Sequence, residues 1–330
     1  MIRDSSTSCS VVLAGFLRIS LVLAGLIWLA GCSPAEKPLR VATLPWPGYE
    51  SLHLAQSLSY FEPSQIRLTE MSNASQIALA LRNGTVEAGF ATLDEALDLI
   101  QDGVDLRVIA VVDVSNGADV VMARPDIANL QALRGKRVAV ENAAVGAVML
   151  DAMLETAGLK VGDIQLVAAT VDEHAKLFST GMVDAAVTFE PVRTQLLKLG
   201  AHVLFDSSRV PGRIMDVLVV RSEQMDNHPK ALAALLAAHF RALDYQAQQP
   251  QDAAKRIAPF LGVAENEVAA QYAGIRIPDL VENHAMLSGA QPGLKKAADS
   301  LASLMLSHKL LVHAVQTDHL VEPKFLPVSK

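Results

Sequence analysis

The order of residues between Arg40 and Ala88 returns between Arg137 and Ala185, and this repetition restricts the fold more than any other feature. Arg40-Val41-Ala42 recurs as Arg137-Val138-Ala139, and Gly84, Val86 and Ala88 recur as Gly181, Val183 and Ala185, all at one offset of 97 residues. Asp184 stands where Glu87 stands. A single three-residue match is noise in a chain rich in Ala and Val. Two matches at the same offset, one at each end of a segment, imply two units built on one plan. Inside the first unit, β-branched runs at 40–44, 66–70 and 87–91 alternate with helical stretches at 49–60 and 73–82. The second unit alternates in the same order. Such alternation predicts βαβ units, an α/β class, and a parallel sheet covered by helices in each unit.

The connections between the units are legible as well. Residues 119–124 leave the first unit and residues 216–221 leave the second, and they read as paired crossover strands forming a hinge near Ala118 and Asp216. The expected lobes are 39–118 with 219–330, and 119–218. Helices over 229–248 and 294–308 carry apolar stripes at helical spacing, which is a core signal rather than a chemical one. They are expected to complete the first lobe.

The N-terminus bears on location. Arg3 and Arg18 are the only basic residues ahead of an uncharged run, 19–30, which has the length of a signal-peptide core and falls short of the ~20 residues that span a bilayer. The run ends in Leu29-Ala30-Gly31-Cys32, followed by a polar, Pro-containing stretch. This resembles the bacterial lipobox, with an uncleaved anchor as the alternative. The expectation is a leader at 1–31, lipid on Cys32 and a tether at 32–38. Cleavage would remove Cys9, leaving no free thiol, no disulfide and no cysteine metal site. Stability then rests on burial, for which a chain 51% hydrophobic is ample. A net charge of −7 argues against nucleic acid as a partner.

In open α/β sheets, ligands bind beyond the carboxyl ends of the strands, where helix N-termini also point. That rule nominates Trp46, Gly48 and Tyr49 after the first strand, Ser72 and Asn73 after the second, and Thr92 and Asp94 after the third. In the second unit it nominates Glu141, Asn142 and Ala143, the loop 170–173, and Glu190. The hinge adds Asp113, Ser115 and Asp216. Trp46 is one of two tryptophans and the only one beyond the leader, held between two prolines where an aromatic face can stack on a ligand. Ser72, Asn73, Ser75 and Thr92 also suit helix N-capping. The loops contain Glu50, Asp94, Glu141, Asp172, Glu173 and Glu190 and no Lys or Arg. The nearest bases are Arg193, Arg209 and Arg213. An acidic cleft favours a neutral or cationic nitrogen-containing compound, pyrimidine-like or amine-like, over a sulfonate or nitrate.

At these residues the chain resembles a known import family. The strand leading to Trp46-Pro47-Gly48-Tyr49, the segments 84–88 and 133–140, and the stretch from Val183 to Pro191 are similar to the binding proteins for nitrate, taurine, aliphatic sulfonates and thiamine-precursor pyrimidines. The resemblance implies a two-lobed periplasmic-binding-protein fold (type II-like), two βα lobes joined by a two-strand hinge. It implies capture of a small molecule and delivery to ABC permease and ATPase subunits. Members that bind oxyanions tend to carry Ser or Thr after the strand matching 138–140, whereas this chain has Glu141-Asn142-Ala143-Ala144-Val145. Two other roles occur on such a fold: ligand sensing for a signalling receptor, and an enzyme of pyrimidine or quinone synthesis. The sequence has no GxxxxGK[ST], HExxH, GxSxG or CxxC pattern. His308, His313 and His319 share no metal-ligand spacing. The expectation is a binding protein without cofactor or metal. Cys32→Ala should release the protein from membranes on fractionation, because several acyl chains are needed for stable attachment; unchanged retention would favour an uncleaved helix.

Overall fold

A computed structural model describes residues 37–141 and 144–328. The leader, Cys32 and most of the tether, with Asn142 and Ala143, lie outside the described residues.

The chain opens with β1 (Leu39–Thr43), a 3-10 turn at Pro47–Tyr49, α1 (Glu50–Ser57), β2 (Ile66–Glu70), α2 (Ala74–Arg82), β3 (Ala88–Thr92), α3 (Leu93–Gln101) and β4 (Leu106–Ser115). The helix expected over 49–60 is therefore shorter, because Pro47 starts a 3-10 turn before it. The second unit runs β5 (Val120–Ala123), β6 (Arg137–Val140), α4 (Ala144–Ala157), β7 (Gln165–Ala168), α5 (Val171–Ser179), β8 (Ala185–Thr188), α6 (Val192–Lys198) and β9 (His202–Asp206). Then come β10 (Met215–Arg221), α7 (Pro229–Gln248), α8 (Pro250–Leu261), α9 (Val268–Gln271), β11 (Ile275–Arg276), α10 (Leu280–Leu287) and α11 (Gly293–Ser307).

The strands form two sheets, ordered β11-β4-β10-β3-β1-β2 and β7-β6-β8-β5-β9. Apart from β11, the two orders are the same when one is read in reverse. In each sheet three strands are parallel, β1 to β3 in one and β6 to β8 in the other, and one antiparallel strand is inserted beside the third. That strand is β10 in the first sheet, reached on return from the second unit, and β5 in the second, reached on leaving the first. The duplication in the sequence is thus a duplication of sheet topology. All of β10, residues 216–218 included, pairs within the first sheet.

The repeated residues form a repeated ion pair. Arg40 and Glu87 lie on neighbouring chains at the N-terminal edge of the first sheet, where the Glu87 carboxylate accepts from Arg40 N at 2.7 Å and from its guanidinium. Asp184 accepts from Arg137 N at 2.8 Å and from Arg137 Nε at 3.0 Å and Nη2 at 2.7 Å. The backbone N–H of each acid returns a bond to the carbonyl of its arginine. The symmetry extends beyond the stretch first recognised. Arg124, just after β5, and Arg221, the last residue of β10, are again 97 apart, and their guanidinium groups donate to the carbonyls of Phe178 and Leu81. Charge-assisted pairs of this type fix the register of strands that have already packed.

The crossings between the sheets are the segments 116–119 and 207–214, laced side by side. Ser115 N donates to Ile214 O at 3.1 Å, Ser207 N to Asp119 O at 2.9 Å, and Gly117 N to Ser207 Oγ at 2.7 Å. The first sheet's core includes Leu232, Leu235, Leu294 and Leu301, so α7 and α11 complete that unit as their apolar stripes imply. The second sheet has a separate cluster on each face, one around Met149 and Met153 and one around Phe178 and Leu196. Glu87→Ala leaves the Arg40 N–H without its carboxylate and should lower stability by about 1–2 kcal/mol in denaturant titration; an unchanged midpoint would show the pair to be incidental.

Candidate functional site

The carboxyl ends of the two sheets face one another, and two adjoining chambers lie between them. One, partly open to solvent, spans about 320 Å³ of atom-free space, solvent included, and is lined by Leu44, Trp46, Tyr49, Ala74, Thr92, Glu95, Asp119, Val145, Phe189 and Asp216. The other, also partly open, spans about 280 Å³, with Glu141, Val171, His174, Thr188 and, shared with the first, Asp119, Val145 and Phe189 on its walls. Among the described residues, no Lys or Arg lines either chamber.

The floor on the first-sheet side is a cluster built from local geometry. Pro47 starts the 3-10 turn that carries Trp46 and Tyr49 back over the sheet, with Tyr49 N bonded to Trp46 O at 2.9 Å. Trp46 Nε1 donates to Asp113 Oδ2 at 2.8 Å, and Tyr49 OH donates to Asp216 Oδ1. Asp113 and Asp216 are cross-strand partners on β4 and β10. Tyr49 also stacks on Phe90, with centroids 4.3 Å apart. A β-carbon at Gly48 would stand 1.7 Å from Asp113 Oδ2, so only glycine lets the turn approach the carboxylate. Across the cleft, Phe189 meets Trp46 edge to face at 5.4 Å.

Thr92 caps α3 in a reciprocal box with Glu95, whose Oε2 accepts from Thr92 N at 2.9 Å. Both oxygens of neighbouring Asp94, Glu95 Oε1, Asp113 Oδ1 and Asp119 Oδ2 are buried without a protein partner. Burial accordingly raises these acids' pKa values. Asp119 is pushed up to about 7, mainly by burial and further by Asp113 and Asp94, against a lowering bond from Ser115. Asp94 and Glu95, side by side, and the facing Asp113 and Asp216 are all raised by burial. His174, buried beneath the second chamber, is lowered to about 4 and stays neutral. Its Nε2 lies 3.3 Å from Ala169 O and so carries the proton, which leaves Nδ1 as an unpartnered acceptor.

Of the residues nominated from sequence, Trp46, Tyr49, Thr92 and Asp216 line the first chamber and Glu141 the second. Gly48, Asp94 and Asp113 stand behind these walls. Ser115 serves the crossing, its hydroxyl 2.7 Å from that of Ser207. Asn73 caps α2 and reaches over the cleft to Asp172 Oδ1 at 3.1 Å, while Ser72 is exposed. Glu190 is buried but turned back onto α6, accepting from Thr194 N and Arg193 Nη1 at 3.0 Å each. Arg209 lies over the Phe205 ring, and neither it nor Arg213 lines a chamber. Glu95, Asp119 and His174 were not nominated. Two of them carried a signal: Asp119 is the repeat mate of Asp216, and Thr92-x-x-Glu95 is a capping-box spacing.

Other bonds across the cleft hold the two units together. Ser75 N and Oγ donate to Glu141 Oε1 at 3.1 and 2.7 Å, Gln271 Nε2 to Thr194 Oγ1 at 3.0 Å, and Lys198 pairs with Glu267 at 2.7 Å. His308 Nδ1 meets Asp151 at 2.8 Å.

Comparison with known proteins gives these features a family. The model of the NMT1-like family matches residues 33–262. A taurine-binding periplasmic protein of Escherichia coli (strain K12) is 25% identical over 232 residues, 67% of this chain and 69% of its own length. Among solved structures, the alkanesulfonate-binding protein of Xanthomonas axonopodis pv. citri bound to MOPS superposes with a TM-score of 0.72 at 19% identity, covering 86% of this chain and 97% of that one. A desulfurization enzyme superposes at 0.65 and 18% identity, covering 88% and 97%. The two-lobed fold of periplasmic binding proteins is therefore this chain's fold, shared with at least one enzyme.

The buried acids set a pH dependence whose sign follows from proton counts. Between pH 4 and 6.5 the neutral His174 and His239, both lowered to about 4 by burial, oppose the raised carboxyls. Above pH 6.5 unfolded histidines are neutral and unfolded carboxyls ionised, while the folded chain still holds protons on Asp119 and its neighbours. Unfolding then releases protons, so stability falls as pH rises from 6.5 to 8.5, by about 1 kcal/mol for Asp119 alone. Thermal melts should drop over that range, and Asp119→Asn should flatten the slope; a rising melt would contradict the assignment.

Proposed function

The chain belongs to the NMT1-like family, and on that premise we propose that it is an extracytoplasmic solute-binding protein, anchored through lipid on Cys32, that hands a small molecule to the permease and ATPase of an ABC importer. We infer further that its solute is a neutral or cationic nitrogen compound, pyrimidine-like or amine-like.

One observation carries the ligand class: Glu95, Asp119, Asp216 and Glu141 line the chambers without any Lys or Arg among the lining residues. The unpartnered oxygens of Glu95 and Asp119 accept hydrogen bonds, and a solute with several N–H groups satisfies them. An anionic head would meet the Glu141 carboxylate in a site of low dielectric and would draw no ion pair from the raised acids around it. The relatives named for taurine and alkanesulfonate set the opposite expectation, so the ligand class is the decisive measurement. The binding role itself is supported by the two facing sheets and the two laced crossings, an arrangement suited to closure on a solute.

The Trp46 indole reports directly, because it lines the first chamber. In the full chain with Trp28→Phe, fluorescence titration with 4-aminopyrimidine, putrescine, taurine and ethanesulfonate should respond to an amine or pyrimidine in the micromolar range. Mass spectrometry of co-purifying small molecules should find nitrogen-rich species. Micromolar taurine or ethanesulfonate binding, with both nitrogen compounds silent, would overturn the ligand class.

A further inference from the structure

We propose that Glu141 is the specificity-determining residue of the cleft: its carboxylate is an internal anion that occupies the helix N-termini where a ligand oxyanion would sit, so the cleft refuses anionic solutes. The inference deepens the reading of the chain as a solute-binding protein and rests on it.

The geometry is direct. Glu141 follows β6 and reaches two helix starts belonging to different units. Its Oε1 takes the backbone N–H of Ser75 at 3.1 Å and the Ser75 hydroxyl at 2.7 Å, in the first turn of α2. Its Oε2 takes the backbone N–H of Val171 at 3.1 Å, the first residue of α5. Both helices are nine residues long, and an N-terminal turn presents unpaired N–H groups and positive potential to whatever anion stands before it. Here the anion belongs to the chain. A β-carbon on Gly146, in the first turn of α4, would stand 2.4 Å from Glu141 O, so glycine there leaves the Glu141 backbone its place.

The chamber that Glu141 lines gives the second, independent observation. His174 Nδ1, Thr188 Oγ1 and Asp119 Oδ2 belong to buried residues on the same walls and have no protein partner. His174 Nδ1 can only accept, since His174 keeps its proton on Nε2, while Asp119 accepts in its ionised form and Thr188 can do either. With one N–H at each of the α2 and α5 starts already taken by Glu141, these unmet groups are what the chamber offers a solute. An entering sulfonate, carboxylate or phosphate would have to displace Glu141 and strand its charge, while an amino or amidine group finds its bonds unmade and waiting.

Glu141 also spans the cleft, so the same carboxylate contributes to closure. A solute need not supply the bridging charge, only fill the acceptor-lined space beside it.

Calorimetric titration of the full chain with ethanesulfonate and with taurine tests this. The wild type should give no binding heat at millimolar concentration. Glu141→Ala frees both helix starts and should bind ethanesulfonate at least tenfold more tightly than the wild type. Glu141→Gln keeps the side-chain volume and one acceptor oxygen, and it decides alone if the alanine variant does not fold; a measurable gain over wild type is expected from it too. Scattering of solute-free protein should show a larger radius of gyration for Glu141→Ala. Absence of sulfonate binding by either folded variant would overturn the role of Glu141 while leaving the nitrogen-compound reading intact. Ethanesulfonate binding by the wild type, as tight as by the variants, would overturn both.

Discussion

Carboxyl groups taken out of water without a base beside them are the costliest element of this structure, and the rest of the cleft is arranged around them. Asp94, Asp113, Asp119 and Asp216 are buried in or behind the space between two sheets, and Glu95 and Glu141 stand with them. Part of their desolvation is offset by bonds the fold supplies: the Trp46 indole to Asp113, the Tyr49 hydroxyl to Asp216, the Thr92 amide to Glu95, and backbone N–H groups to Glu141. Part is avoided by holding protons, as at Asp119 near neutral pH. What remains is a set of oxygens with no partner. Such groups destabilise a fold that has no other use for them. In a binding protein the deficit becomes differential affinity, because a donor-rich solute removes it only when the cleft is closed around both sets of acids.

The repeat made much of this fold legible from sequence. Arg40 with Glu87 and Arg137 with Asp184 stand 47 residues apart in each unit, and that spacing is the span of one strand-helix-strand-helix passage returning to an adjacent position in the sheet. Residues near the strand starts recur because the ion pair and its backbone bonds need the same residue types in the same register. The extension to Arg124 and Arg221 follows the same logic, although each reaches carbonyls distant in sequence and no spacing rule announces it. What the sequence did not expose was the destination of the strands at the crossings. Residues 119–124 and 216–221 read as partners of each other, yet β5 and β10 complete different sheets. The lacing between Ser115, Asp119 and Ser207 lies just outside them.

The candidate site was legible to the level of loops and less so to the level of side chains. The rule that ligands gather beyond strand ends led to Trp46, Tyr49, Thr92 and Glu141, and the hinge reading to Asp216, and all five line the chambers, since both readings depend only on topology. Neither says which way a side chain turns. Glu190 sits at a strand end as well as any of these, but the N-terminal turn of α6 and Arg193 satisfy it from its own unit. Ser72 sits one residue ahead of the cap and faces solvent. His174 was beyond reach, because a histidine in the first turns of a helix has no sequence mark that separates a chamber wall from an ordinary buried position.

The role proposed for Glu141 is a shift of specificity by one side chain on a retained fold. The N-termini of α2 and α5 are features of the topology and come with the βα plan; any chain built this way presents their N–H groups to the cleft. A solute's anion can fill that demand, and so can a residue of the chain. When the chain fills it, the helix starts cease to attract anions and become part of the clamp, while the negative charge moves onto the wall facing the solute. The same change that removes an anion site therefore adds an acceptor surface, and Asp119, Thr188 and the neutral His174 extend it. Fold similarity to sulfonate-binding proteins and the ligand class proposed here are compatible for this reason, since the scaffold fixes where the helix N-termini point and, on this proposal, the residue at position 141 answers them.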